Sequence, residues 1–230
     1  MKKIGLIGGM SWESTLHYYR AINQRVAEKL GGLHSAELTL QSIDFAPIAE
    51  LQKQGEWDKT GDILAEAALA CQSSGAEGVV LCTNTMHIVA ETIESQLDIP
   101  FHHIVDATGE HLVANGVSKV GLLATAFTMQ MPFYRQRLTD KFGIEVVVPD
   151  LLLQDEIHRI IFEELCLGKV LDTSRTVYQQ AVDELAKAGA EGVILGCTEI
   201  GMLLEAKDAS LPLYDSVDMH VDSVVEWALA

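Results

Sequence analysis

Gly75-Ala76-Glu77-Gly78-Val79-Val80-Leu81, running on into Cys82-Thr83-Asn84-Thr85-Met86-His87, is the stretch on which the fold turns. Nearly the same words return 114 residues later as Gly189-Ala190-Glu191-Gly192-Val193-Ile194-Leu195, running on into Gly196-Cys197-Thr198-Glu199-Ile200. Each copy is a short, β-branched apolar run that starts at a glycine, which is the pattern of a buried strand. Two further matches flank it in the same order. Lys3-Ile4-Gly5-Leu6-Ile7 resembles Lys119-Val120-Gly121-Leu122-Leu123 at an offset of 116, and Ile99-Pro100 with Val105-Asp106 resembles Leu211-Pro212 with Val217-Asp218 at 112. Three matches in one order at almost one offset indicate an internal duplication, with a period too long for a solenoid repeat.

Outward from these runs, strands and helices alternate. Apolar runs at 3–8, 37–43, 78–82, 119–123, 144–148, 192–196 and 211–214 read as strands. Helical patterns fill 11–30, 59–74, the stretch after Thr85, 129–140, 151–165, 173–188 and 216–229, the first with Ser11 as its N-cap. This alternation predicts an α/β fold of two similar, doubly wound parallel-sheet halves related by a pseudo-twofold. The expected division is 1–98 plus 212–230 for the first domain and 99–211 for the second. Such halves would set the carboxyl ends of their strands around one cleft, where open α/β sheets bind ligands.

Composition narrows the function classes. The 230 residues are 48% hydrophobic and 21% charged, which excludes disorder. Sixteen Lys and Arg against 33 Asp and Glu leave a net charge of −17. No basic stripe exists for a phosphate backbone, so no nucleic acid is expected. No polybasic segment or long apolar window points to a membrane. The apolar run Ile4–Met10 is broken by Gly5, Gly8 and Gly9 and lacks a cleavage site, so it does not read as a signal peptide. Cysteines 71, 82, 166 and 197 form no CxxC pair, and reduced thiols in the cytoplasm are expected. His102-His103 and the group Asp155, His158 and Glu163 match no metal-ligand spacing, and the glycines at 5, 8 and 9 do not form a dinucleotide fingerprint.

The chemistry is expected where the duplicated strands end. The 114-residue offset aligns Cys82 with Gly196 and Thr83 with Cys197. Each copy then enters a helix, whose N-terminal N–H groups are expected to bind a carboxylate and to lower a neighbouring thiol's pKa. Two acid/base groups facing one carbon suit removal of a proton from one face and delivery to the other, which is racemisation or epimerisation.

CTNTMH at 82–87, GCTE at 196–199 and IGLIGGMSWEST at 4–15 together resemble the aspartate/glutamate racemase family, over nearly the whole chain. The resemblance implies an amino-acid racemase that uses no pyridoxal phosphate or other cofactor and no metal. It also implies an active site between the halves, an amino-acid substrate and usually a homodimer. A cysteine at each strand end forms the family's acid/base pair. Asn84, Thr85 and Thr198 are the implied contacts to the substrate carboxylate, and Met10 and Thr125 the implied lining.

One departure is central: Thr83 stands where the pattern has its first cysteine. Cys82 is adjacent, but neighbouring strand side chains point to opposite faces. The expected pair is therefore asymmetric, with Cys197 a strong base, Thr83 a weak acid and turnover slow or one-directional. A second departure concerns the substrate's distal group. The positions where basic anchors are expected hold Gln52 and Cys166, with Lys53 and Lys169 nearby as possible substitutes. Broad and acidic specificity both stay open. Glu199 reads either as a site residue or as a first-turn glutamate favoured by the helix dipole. His87, one turn past Thr83, either orients a neighbour or packs. Two other functions fit the same residues: a single-thiol isomerase or decarboxylase of a small carboxylic acid, and an amino-acid-binding relative without turnover.

Overall fold

Every residue of β1 (Ile4–Gly8) is buried, because the strand is flanked on both edges by other strands and covered by helices. In the computed structural model, which describes residues 1–230, β1 pairs in parallel with β2 (Leu38–Ser42) and β3 (Gly78–Leu81). The short β4 (Phe101–His102) pairs with β3, giving the order β2-β1-β3-β4. A second parallel sheet repeats this plan with β5 (Lys119–Leu123), β6 (Glu145–Val147), β7 (Val193–Leu195) and β8 (Leu213–Asp215), in the order β6-β5-β7-β8. The helices in chain order are α1 (Trp12–Leu30), α2 (Phe45–Gln54), α3 (Trp57–Ser73), α4 (Ala90–Glu94), α5 (Ile104–Ala114), α6 (Ala126–Gln130), α7 (Pro132–Phe142), α8 (Leu151–Glu163), α9 (Asp172–Lys187), α10 (Ile200–Leu203) and α11 (Ser216–Leu229). The two-half α/β architecture read from the duplication is the one observed.

The repeated residues repeat their physical tasks. Gly75 and Gly189 both turn the chain into a central strand at positive φ, +84° and +88°, a conformation that a Cβ disfavours. Glu77 and Glu191 each donate a backbone N–H to Lys3 and Lys119, and their carboxylates accept N–H groups at the start of the neighbouring strand. Gly5 and Gly121 leave room for a helix against the sheet: a Cβ would lie 2.7 Å from Cys71 Cβ in the first case and 2.6 Å from a Leu185 methyl in the second. Ser11 caps α1 by accepting the Ser14 N–H, as expected, and Asp150 caps α8 in the same way.

The chain divides into two compact units, Met1–Ile104 with His220–Ala230, and Val105–Met219. These bounds differ from the expected division at both ends. Residues 99–104 belong with the first unit because β4 pairs with β3, and 212–219 belong with the second because β8 pairs with β7. A two-residue edge strand has no periodicity to read. Ile7, Ile48, Leu64, Val79, Leu81 and Ile93 centre the first core, and Val120, Leu122, Tyr134, Ile157, Ile160, Tyr178 and Val193 the second, all essentially without exposure. No helix is long and apolar enough to cross a membrane.

Candidate active site

The central strands carry the expected residues to matching places. β3 ends at Leu81, paired with Ile7, and β7 ends at Leu195, paired with Leu123. One residue on, the Cys82 N–H donates to Ile7 O (2.9 Å), and the Gly196 N–H donates to Leu123 O (2.8 Å). Cys82 and Gly196 are thus equivalent by hydrogen bonding, and Thr83 and Cys197 each lie two residues past the strand. Met10 follows β1 by the same two residues, and Thr125 follows β5. These residues form two sets, each at the carboxyl ends of the central strands of its own sheet, where α/β sheets present ligand-binding groups.

In the second unit the sulfur of Cys197 lies 3.0 Å from Glu199 Oε2, and that of Cys166 lies 3.9 Å from Oε1. A carboxylate has only acceptors to offer, so both thiols donate. Glu199 is buried, whereas the two cysteines are partly exposed. Enough protein surrounds the Cys197 sulfur that burial, followed by the Glu199 charge and then Cys166, pushes its pKa well above the ordinary thiol value. Cys166 is pushed up to about 12 by burial and then by Glu199. This reverses the expectation that a helix N-terminus would lower the Cys197 pKa. The helix after β7 is only the four residues of α10, and a carboxylate at its N-cap position stands closest to the sulfur. Cys197 therefore rests as a thiol and not as the ready base expected of it.

Thr125 is the N-cap of α6, accepting the Thr128 N–H and lying 3.2 Å from the Thr128 hydroxyl. The next N–H, that of Ala126, donates to His158 Nδ1 at 3.2 Å. Thr198 is partly exposed beside Cys197.

In the first unit the strand end is built differently. The expected helix after Thr85 begins instead as a 3-10 turn, Thr85–Val89, before α4. Asn84 already has helical angles and makes no side-chain cap. Thr83 is partly exposed, and Asn84 and Thr85 are buried beside it. The His87 ring meets the Thr83 carbonyl at 2.8 Å and accepts the Ile104 N–H at 3.2 Å. Cys82 is fully buried, and burial raises its pKa strongly. Gln52 lies on α2, a helix the sequence reading lacked, and its amide donates to Met86 Sδ at 2.8 Å, which brings it to the turn that holds Asn84 and Thr85. Met10 is packed into the apolar core. Lys53 and Lys169 are exposed. The link between Cys166 and Glu199 had no signal in the sequence, since 33 residues separate them. The pairing of Cys197 with Glu199 had one, in their two-residue spacing.

A family model for Asp/Glu/hydantoin racemases matches residues 7–224. A Yersinia pestis crystal structure assigned to the Asp/Glu racemases shares 49% identity with this chain at a TM-score of 0.94, and each chain is covered in full. An aspartate racemase homologue from Pyrococcus horikoshii shares 36% at a TM-score of 0.87, again over the full length of both. The broad specificity amino-acid racemase of Bacillus subtilis is 22% identical over 228 residues, covering 99% of this chain and 98% of that one.

Proposed function

This chain belongs to the Asp/Glu/hydantoin racemase family, and from that premise we propose that it is a pyridoxal-phosphate-independent amino-acid racemase acting at the α-carbon. The observation that carries the proposal is the Cys197 thiol resting on the Glu199 carboxylate at the end of β7, in the position equivalent to Thr83 at the end of β3. In the proposed reaction Glu199 Oε2 takes the thiol proton, and the Cys197 thiolate removes the α-proton and becomes a thiol again. The carbanion, held as an enediolate through its carboxylate by Asn84, Thr85, Thr198 and backbone N–H groups, takes a proton on its other face from the Thr83 hydroxyl. Solvent restores the hydroxyl proton, and Glu199 releases the proton it had taken.

A hydroxyl gives up its proton far less readily than a thiol, so near neutral pH it is a far poorer base than a thiolate. The expectation of one-directional turnover nevertheless needs restating. Enantiomers have equal free energy, so kcat/KM must be the same in both directions. The asymmetry belongs in proton exchange: the enantiomer whose α-proton faces Cys197 exchanges with solvent faster than it racemises. For specificity, Gln52 can hydrogen-bond a charged or a neutral distal group, and the Cys166 thiol is committed to Glu199. Both features support a substrate range that includes aspartate and glutamate without being limited to them. A cytoplasmic homodimer is part of the same proposal.

The test is chiral analysis of a panel of L- and D-amino acids incubated in heavy water. Deuterium at the α-carbon together with the opposite enantiomer is expected for at least one amino acid, with both lost in Cys197→Ser. No exchange with any amino acid defeats the proposal. The threonine at the β3 end, where Cys197 stands at the β7 end, favours one rival, a one-base enzyme, and exchange with no racemisation at all would establish it.

A further inference from the structure

We propose that His87 is a positioning residue for Thr83, its imidazole joining the Thr83 carbonyl to the Ile104 N–H so that the hydroxyl is held where it serves the α-carbon. The inference rests on the racemase reading above. It begins with what holds Thr83. The ladder of β3 ends at Leu81, and past it the Thr83 N–H turns back to Leu81 O at 2.9 Å. The position of the side chain then depends on what fixes the carbonyl side of the residue, and His87 does so at 2.8 Å.

The tautomer follows from the partners. The Ile104 N–H donates to Nε2 at 3.2 Å, so that nitrogen carries a lone pair and no hydrogen. The hydrogen is therefore on Nδ1, and a carbonyl is the partner that such a nitrogen requires. Both ring nitrogens are spent on main-chain groups, one at the end of β3 and the other at the first residue of α5. The ring has no room to swing, since His87 is only 2% exposed. His103, Phe101 and His220 pack around it with ring centroids at 4.6, 5.6 and 6.0 Å. His220 is itself fixed, with Nε2 2.8 Å from the His102 carbonyl and Nδ1 2.9 Å from the Tyr18 hydroxyl. Cys197 is served by a side chain that touches its sulfur, whereas Thr83 is served through its main chain.

Two near-isosteric variants separate the halves of this brace. His87→Asn keeps a donor near the Nδ1 position and gives up the acceptor for Ile104. His87→Gln keeps an acceptor near the Nε2 position and gives up the donor to Thr83. The experiment measures racemisation and single-face α-deuterium exchange in parallel, for each variant alone and combined with Thr83→Ala.

His87→Gln is expected to slow racemisation about tenfold, a modest cost for a displaced reacting group, with exchange on the Cys197 face changed less than about twofold. His87→Asn should recover most of the loss. In the Thr83→Ala background His87→Gln should add nothing, because the residue it positions is gone. Equal loss of exchange and racemisation, equal effects of Asn and Gln, or full additivity with Thr83→Ala would each overturn the positioning role. Absence of any Cys197-dependent exchange in the unmodified protein is a different result, which removes the racemase reading and this inference together.

Discussion

The ends of β3 and β7 share a register and a backbone hydrogen bond, yet they control their reactive side chains by different means. At the β7 end a buried carboxylate touches the Cys197 sulfur, so the protonation state of that residue is set directly. At the β3 end a histidine holds the Thr83 main chain, so its position is set and its chemistry is left to the hydroxyl. A duplicated scaffold can therefore supply equivalent positions while each copy uses its own kind of support. A thiol needs an electrostatic partner to change its proton affinity, whereas a hydroxyl that rests protonated and gives its proton only to the carbanion needs mainly to be in the right place.

The most severe way to break the comparison is to remove the carboxylate. Glu199→Gln should lower racemisation about a thousandfold, in the middle of the range that a proton acceptor contributes. It should also make Cys197 react faster with iodoacetamide at pH 8. The sign follows from Glu199 raising the Cys197 pKa: without the negative charge the pKa falls and the thiolate fraction rises. Slower alkylation in this variant would contradict the electrostatic account. Thr83→Ala comes next, with racemisation expected to fall about a hundredfold and exchange on the Cys197 face retained. A parallel loss of both in deuterium-exchange assays would show that the strand ends do not work independently.

Stability offers a milder contrast between the two copies. Gly5→Ala places a methyl 2.7 Å from Cys71 Cβ and 3.0 Å from Ala76 Cβ, both rigidly attached to the backbone. Gly121→Ala meets the Leu185 side chain, whose nearest atom, at 2.6 Å, is a terminal methyl. The first substitution should cost about 2–3 kcal/mol and the second about 1 kcal/mol, within the range for overpacked cores. Urea midpoints would check the order. The smallest effect is on pH dependence. The Cys71 pKa is raised to about 11 by burial, so the unfolded chain loses this proton at lower pH than the folded one. The Cys71 contribution to stability should be fully present below about pH 8.5, the unperturbed thiol value, and should be lost as pH rises from there towards the folded value. Cys71→Ala should flatten part of that decline in melting temperature.

Much of the fold was legible because duplication writes one pattern twice. Gly78-Val79-Val80-Leu81 and its copy Gly192-Val193-Ile194-Leu195 announced the two central strands, whereas the turns at Gly75 and Gly189 and the helix contacts at Gly5 and Gly121 emerged only in the packed chain. β4 escaped because two residues cannot show a period, and with it went the domain boundary. At the candidate site, the equivalence of Thr83 with Cys197 could be read from the offset. The state of Cys197 could not, and the helix-dipole argument pointed the wrong way. It relied on a helix of useful length after β7, where the chain forms four residues led by a glutamate.

What the sequence by itself determined is the list of parts and their pairing: two parallel sheets, a family, and a threonine matched with a cysteine. Strand periodicity, turn glycines and repeated motifs are local properties, written in neighbouring residues. Only the tertiary structure decided how those parts behave. It brought Cys166 and Glu199 together across 33 residues, surrounded the Cys197 sulfur with protein, and set the His87 ring between Thr83 and Ile104. Proton affinity and side-chain placement depend on dielectric surroundings and on partners distant in the chain, and these come into being only when the chain is packed.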